Sequence, residues 1–451
     1  MSAVRIACWS LLIAAPLCGQ AVAGGLPFLE RGTLPDGDGW ASLPTPALPN
    51  GTTGGSDADA AHVFTVSDRN ALVAALNFPD ATPKIIRIAG GIDANVDADG
   101  NPLACTDYAR PDPQTGTPYS LDAFLTAYDP ATWGRTNPSG PLERARVASA
   151  AAQAARVRIR IPANTTIVGV TRGAGLRGAW LDIRPGSTSG NTPMNVIVRN
   201  LVLEDTVDCF PQWSPTDGSL GNWNAAYDNL SVRNATHVWV DHNTFRDRAT
   251  ADETLPTYFG RLYQMHDGLL DVTNESDLVT ISWNRFENHD KTMLVGSSDS
   301  AVADRGKLRL TLHHNLFNDV GQRAPRVRFG QVHLYNNHYR ITDEAAATRY
   351  GYSWGVGIES QIYAQNNHFR VSEAVAPDLF IERFNGTSIH AEGTLLNGVT
   401  RHSTVDPVAE FNSVNGDTLT PTVNWTPTLH GPIAPTGLVP VLVWLGAGAV
   451  R

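Results

Sequence analysis

The chain has 451 residues, is 42% hydrophobic and only 17% charged, and carries a formal net charge of -10. With 40 Gly and 29 Pro it is rich in turns and well able to bury a core, which excludes a disordered or membrane-embedded chain. No nucleic-acid partner and no membrane partner are expected.

Residues 1–23 read as a signal peptide. Arg5 supplies the positive start, an apolar run too short for a membrane anchor follows, and Ala21-Val22-Ala23 is a small-x-small cleavage site. The mature protein is therefore expected to be secreted. Cutting after Ala23 removes Cys8 and Cys18 and leaves Cys105 and Cys209. In an oxidising compartment these two could form one disulfide, but sequence does not show that they meet.

Residues 24–451 carry no linker that would cut them in two, so a single domain is expected. "HVFTVSDRNALVAALNFPDATPKIIRIAGGID" predicts a strand, a short helix begun near Ser67, and a second strand. Such a helix can cap the open N-terminal end of a repeat stack. Residues from about 100 to 155 read as an insertion, ending in the Ala-rich helical "PLERARVASAAAQAARVRIRI".

Six segments then line up as repeats: "NVIVRNLVLED", "HVWVDHNTFRD", "LVTISWNRFEN", "LRLTLHHNLFND", "VHLYNNHYR" and "QIYAQNNHFR". Each is a short alternating strand, an Asn, and a second short apolar stretch. The aligned asparagines are Asn200, Asn243, Asn284, Asn315, Asn337 and Asn367, spaced by 43, 41, 31, 22 and 30 residues. Short β-rich rungs at that period predict an all-β right-handed parallel β-helix with an N-terminal capping helix. Asn at one phase suits a turn residue that tolerates left-handed backbone and bonds its neighbours in a ladder. His242, His313, His314, His338 and His368, with Trp239 and Trp283, read as packing. After the last rung the pattern fades into "HGPIAPTGLVPVLVWLGAGAV", expected to pack along the solenoid or over its far end.

The asparagines also serve as phase markers. Asp228 lies 15 residues before Asn243, Asp267 and Asp271 lie 17 and 13 before Asn284, and Arg323 lies 14 before Asn337, with Arg328 at 9. Lys291 lies 24 before Asn315, which becomes 15 if the excess of that rung sits in "GSSDSAVADRG". Rungs stack about 4.8 Å apart, so these groups gather on one face. Gly268 permits a bend that joins Asp267 to Asp271, and Pro325 breaks any ladder through "RAPRVR", which places Arg323 on a turn or bulge. Three carboxylates without thiols favour a hard cation, Ca²⁺ above all. The bland alternative is an exposed salt-bridge ladder of little energetic weight.

At these residues the chain resembles the pectate lyases of polysaccharide lyase family 1. The stretches that carry the resemblance are "WNAAYDNLSV", "ATHVWVDHNTF", "DGLLDVTNESDLVTISWNRFENHDKTMLVGSSDS" and "QRAPRVRFGQVHLYNN". The resemblance implies Ca²⁺ ligands at Asp228, Asp267 and Asp271, a substrate-binding lysine at Lys291, and an arginine at Arg323 that takes the C5 proton of the sugar. It further implies that Arg328 grips a uronate carboxylate. Arg326 is expected in a structural ion pair, and Asp241 of "VWVDH" in a structural role. The implied activity is calcium-assisted β-elimination on α-1,4-linked polygalacturonate, by a monomer. Two alternatives stay open: a pectin lyase acting on methylated substrate, and a non-catalytic glycan-binding solenoid. A glycoside hydrolase would instead need a catalytic carboxylate pair.

Overall fold

The structure is a computed structural model and describes residues 27–186, 192–398, 404–416 and 418–450. Residues 1–23, expected to be a signal peptide, lie outside the described residues.

The strands form three long parallel sheets wound into a right-handed β-helix. A ten-stranded sheet runs from Val63–Val66 to Ile389–Glu392, a nine-stranded sheet from Gly91–Asp93 to Leu395–Leu396, and an eight-stranded sheet from Arg158–Ile161 to Ile381–Phe384. One coil visits all three in turn through Leu230–Arg233, Ala235–Asp241 and Thr244–Arg246. Each of those strands pairs in parallel with the next coil, as in Leu230 against Leu270, Val240 against Ile281, and Phe245 against Phe286.

The alternating strands point Val, Ile and Leu inward, and the Phe245, Phe286, Phe317, Tyr339, Phe369 and Phe380 rings stack through the core. Their centroids lie 4.0 to 5.0 Å apart. Identical rings on successive rungs fall into offset stacking because the backbone spacing already matches the ring spacing.

The asparagine ladder forms with one correction. Asn243, Asn284, Asn315, Asn337 and Asn367 are wholly buried, and each amide of the first four donates to the next Oδ1 at 3.0 to 3.1 Å. Asn200 is not in that ladder. Leu201 holds the ladder position, its N–H donating to Asn243 Oδ1 at 3.0 Å. The left-handed turn residue is also not the ladder asparagine but the residue before it: Asn200, His242, Trp283, His314, Asn336 and Asn366 all have φ between +50° and +57°. A left-handed non-glycine residue costs about 1–2 kcal/mol, which the buried ladder bonds offset.

Both ends of the stack are closed. The helix Arg69–Leu76, capped by Asp68, buries Leu72, Ala75 and Leu76 against the first coils. At the other end Val408 and Phe411 of the helix Pro407–Val414 enter the same core. The terminal segment packs along the solenoid rather than over its end. Ala434 O accepts from Asn336 and Asn366, the helix Val439–Gly446 lies against Leu316, and Val450 N–H reaches Asn200 Oδ1. No helix of the described residues is long and apolar enough to cross a membrane.

The insertion is helical: Cys105–Tyr108, Leu121–Ala127, Pro130–Trp133 and Pro141–Val157. Cys105 and Cys209 form a disulfide, with Cα atoms 5.4 Å apart. Its aromatic residues make a second core with Trp213, Trp223 and Tyr263.

The ladder generates a stability prediction. Asn315→Ala strands the Ile281 carbonyl and the Asn284 N–H inside the core, so it should lower unfolding free energy by about 2–4 kcal/mol in guanidinium titrations. Asn70→Ala, at an exposed bond, should change it by less than about 0.5 kcal/mol.

Candidate active site

The eight-stranded sheet positions the site. Asp228 precedes the strand Leu230–Arg233, Asp267 and Asp271 flank the start of Leu270–Thr273, Lys291 precedes Leu294–Val295, and Arg323 precedes Arg326–Val327. Backbone bonds fix the register between these four rungs. Asn229 N–H donates to Gly268 O at 3.1 Å, Leu269 N–H to Thr292 O at 3.0 Å, and Thr292 N–H to Gln322 O at 3.0 Å. Lys291 bridges in parallel to Gln322. The structure therefore brings Asp228, Asp267, Asp271, Lys291 and Arg323 to one face, on four successive rungs. The excess residues of the Lys291 rung lie between Val295 and Leu310, in the "GSSDSAVADRG" loop.

Gly268 acts by what it lacks. Its φ is not in the left-handed region, so no special bend is involved. A Cβ there would lie 2.4 Å from Asp271 Oδ1 and 3.0 Å from Asp228 Oδ1. Two carboxylates thus converge on one bare stretch of backbone, and Gly268 N–H donates to Asp228 Oδ1 at 2.9 Å. Leu294 N–H holds Asp271 Oδ1 at 2.9 Å. Desolvation, then the charges of Asp271 and Asp267, raise the Asp228 carboxyl well above the usual range. Desolvation and Asp267 push Asp271 up to about 7 against the Leu294 hydrogen bond and the pull of Arg323 and His289. Crowded carboxylates of this kind ask for either protons or a cation.

Behind Asp267 lies a buried group that sequence reasoning missed. His289 ring nitrogens meet Asp247 and the Asp267 carbonyl, the latter at 2.7 Å, while His266 meets Asp252 at 2.9 Å. Desolvation opposes charge on His289, yet Asp247, Asp252 and the Asp267 carbonyl outweigh it and lift the imidazole to about 10. The charged ring clamps the backbone that carries Asp267. The available signal was His289 itself, two residues before Lys291 in "NHDK".

The cations differ among themselves. Arg323 has φ +60°, directly before a cis Ala324–Pro325 peptide, and its buried Nε has no partner. Among the described residues neither Arg323 nor Lys291 is in a salt bridge, and both line a polar groove of about 250 Å³. Arg328 is not a free cation in an open groove. It is 8% exposed, with Nε on Asp299 Oδ1 at 2.6 Å and Nη1 on the Gly296 carbonyl at 2.9 Å. Arg326 makes no ion pair among the described residues; its guanidinium stacks 3.7 Å over the Phe384 ring. Asp241 is buried in bonds to Arg199 and Ser282, away from this face.

Among the described residues no three His, Cys, Asp or Glu side chains stand as a ready metal cage. The carboxylates nonetheless suit a hard cation by donor type and mutual repulsion.

The family model described as pectate lyase matches residues 139–413. A pectate lyase of Bacillus subtilis (strain 168) is 46% identical over 422 residues, covering 93% of this chain and 94% of that protein. The structure of the thermostable pectate lyase PL 47 superposes with a TM-score of 0.86 at 43% identity, covering 93% of this chain and 99% of the other. A pectate lyase bound to hexasaccharide matches with a TM-score of 0.84 at 45% identity, covering 93% and 98%. With its parallel β-helix and the site carried on one face of it, this chain belongs to the pectate lyase family and is a polysaccharide lyase that degrades pectate.

Proposed function

We propose that the protein is secreted and cleaves α-1,4-linked polygalacturonate by calcium-assisted β-elimination, leaving 4,5-unsaturated oligogalacturonate ends. The observation that carries this reading is the meeting of Asp228 and Asp271 at Gly268, with Lys291 and Arg323, neither in a salt bridge among the described residues, on the next two rungs. A polyanionic substrate supplies the negative charge that the two cations lack. Export is supported by the signal-like residues 1–23 and by the Cys105–Cys209 disulfide, which suits an oxidising compartment.

Asp228, Asp267 and Asp271 would hold Ca²⁺. When bound, it supplies positive charge that withdraws electron density from a uronate carboxylate and acidifies the C5 hydrogen. Lys291 holds a uronate carboxylate in place, and Arg328 adds the Nη2 edge not committed to Asp299 and Gly296. Arg323, in its neutral form, accepts the C5 proton. The C5–H electron pair becomes the C4=C5 double bond, the C4–O bond breaks, and the departing oxygen is protonated from solvent. No water is consumed.

Chelation should abolish the ultraviolet-absorbing product from polygalacturonate, and added Ca²⁺ should restore it. Full activity in chelator, or equal rates on highly methylated pectin, would move the assignment to a pectin lyase. Calorimetry should find Ca²⁺ affinity weakening as pH falls below about 7, because raised carboxyls then keep protons that compete with the cation. Gly268→Ala should weaken Ca²⁺ binding at least about tenfold in the same titration, since its methyl occupies the place where the carboxylates meet.

Arg323→Lys keeps the charge but changes reach and head group, so it should cost at least about 100-fold in kcat with little change in KM. Circular dichroism serves as the folding control. Near-normal kcat would place the base elsewhere.

A further inference from the structure

The helix Val439–Gly446, sequence VPVLVWLG, is apolar on every side. A helix of that kind is normally buried all round. Here only one side is. Val439 and Val443, with Ala447 just beyond the helix, pack on Leu316. The contact is close: a Cβ at Gly446 would lie 2.5 Å from the Trp283 ring, and Gly448 N–H donates to the Trp283 carbonyl at 2.7 Å. The helix is thus fixed to the nine-stranded sheet, and its outer side faces solvent. Leu438, Val441, Leu442, Trp444 and Leu445 are all exposed, Leu445 by 80%.

The size, charge and shape of this face suit a second copy of the chain. The five residues leave on the order of 600 Å² open, at the upper end for the largest apolar patch of a monomer and approaching the roughly 800 Å² that each partner contributes to a stable interface. Residues 430–450 contain no Asp, Glu, Lys or Arg. Two arginines beside the helix are already paired, Arg285 with Glu287 at 3.4 Å and Arg340 with Asp319 at 3.3 Å. Arg370 is in no salt bridge among the described residues. An anionic lipid surface would therefore find little positive charge to hold, on a chain of net charge -10. A charge-depleted centre with an aromatic anchor is instead the composition of a protein interface.

The aromatic anchor is Trp444, whose ring is held by the Arg285 guanidinium 5.0 Å from its centroid. Trp444 and Leu445 stand as a ridge beside a groove of about 410 Å³, whose lining includes Arg340 and Arg370. Ridge and groove lie side by side on one patch, so a two-fold axis can seat the ridge of each copy in the groove of the other.

We propose that this face pairs two copies of the chain about a two-fold axis, with Trp444 and Leu445 at the centre of the contact, in place of the monomer that the family resemblance implies. The helix lies on the nine-stranded sheet, whereas Asp271 and Arg323 belong with the eight-stranded sheet, so pairing leaves the polar groove of each copy open.

The test is sedimentation velocity of the wild type and of Leu445→Glu, Trp444→Ala and Val147→Glu, over about 0.1 to 100 µM. Val147 is exposed and apolar but lies in the insertion, so it controls for the loss of any surface apolar group. The wild type should pass from monomer to dimer with a midpoint of about 1–10 µM, as suits an interface at the small end of the specific range. Leu445→Glu should raise the dissociation constant at least about 100-fold, because the contact would then bury an unpaired carboxylate. Trp444→Ala should raise it at least about tenfold, and Val147→Glu should leave it within about twofold. Leu445 is exposed in the single chain, so its change should leave the circular dichroism spectrum and the lyase rate of dilute protein as in the wild type. A wild type that is monomeric at about 100 µM overturns the proposal, as does a Leu445→Glu protein that still dimerises. A monomeric wild type that pellets with phosphatidylglycerol vesicles, and is released from them by Leu445→Glu, would give the face to a lipid surface and overturn it as well.

Discussion

Parallel stacking lays each side chain over its counterpart one rung away, about 4.8 Å along the axis. Every phase of the coil must therefore carry chemistry that tolerates its own repetition. An amide does so because it donates on one side and accepts on the other, and Asn243 through Asn367 form that chain of bonds in the core. Flat rings do so by offset stacking, from Phe245 to Phe380. Branched aliphatic residues do so by close packing. These three self-compatible columns set the register, and everything on the outer faces inherits it.

A column of carboxylates is not self-compatible. Asp228 and Asp271 are held near one another by backbone bonds made through Gly268 and Leu294, not by mutual attraction. The repulsion between them is sustained by the same register that the amides and rings enforce. The next rungs carry Lys291 and Arg323 at that phase, so the charge changes sign along the axis within a few rungs. Such a field is suited to a ligand that is itself an alternating array of anion and spacer. His289, pinned between Asp247 and the Asp267 carbonyl, fixes the backbone that carries Asp267.

How far the sequence discloses this depends on whether a residue acts within its own phase. The phase count placed Asp228, Asp267, Asp271, Lys291 and Arg323 together because a solenoid turns distance along the chain into position around the axis. The count also located the extra loop before Leu310. It erred by one residue at Asn200, since a left-handed turn and an amide ladder both favour Asn and occupy adjacent positions. It could not foresee the partners of Arg328 and Arg326. Asp299 comes from a loop of the preceding rung and Phe384 from a later one, and such lateral contacts obey no period. The Cys105–Cys209 pairing needed three dimensions, because 104 residues separate its ends.

The segment that seals the turn line has a consequence for the order of biosynthesis. Residues 434–450 bind Asn336 and Asn366, then Trp283, and at last Asn200, so the seam is closed from the late rungs toward the early ones. A polypeptide emerges in the opposite direction. The seal is therefore the last part to be synthesised, after every rung that it covers. The seam can add only to the stability of the finished stack.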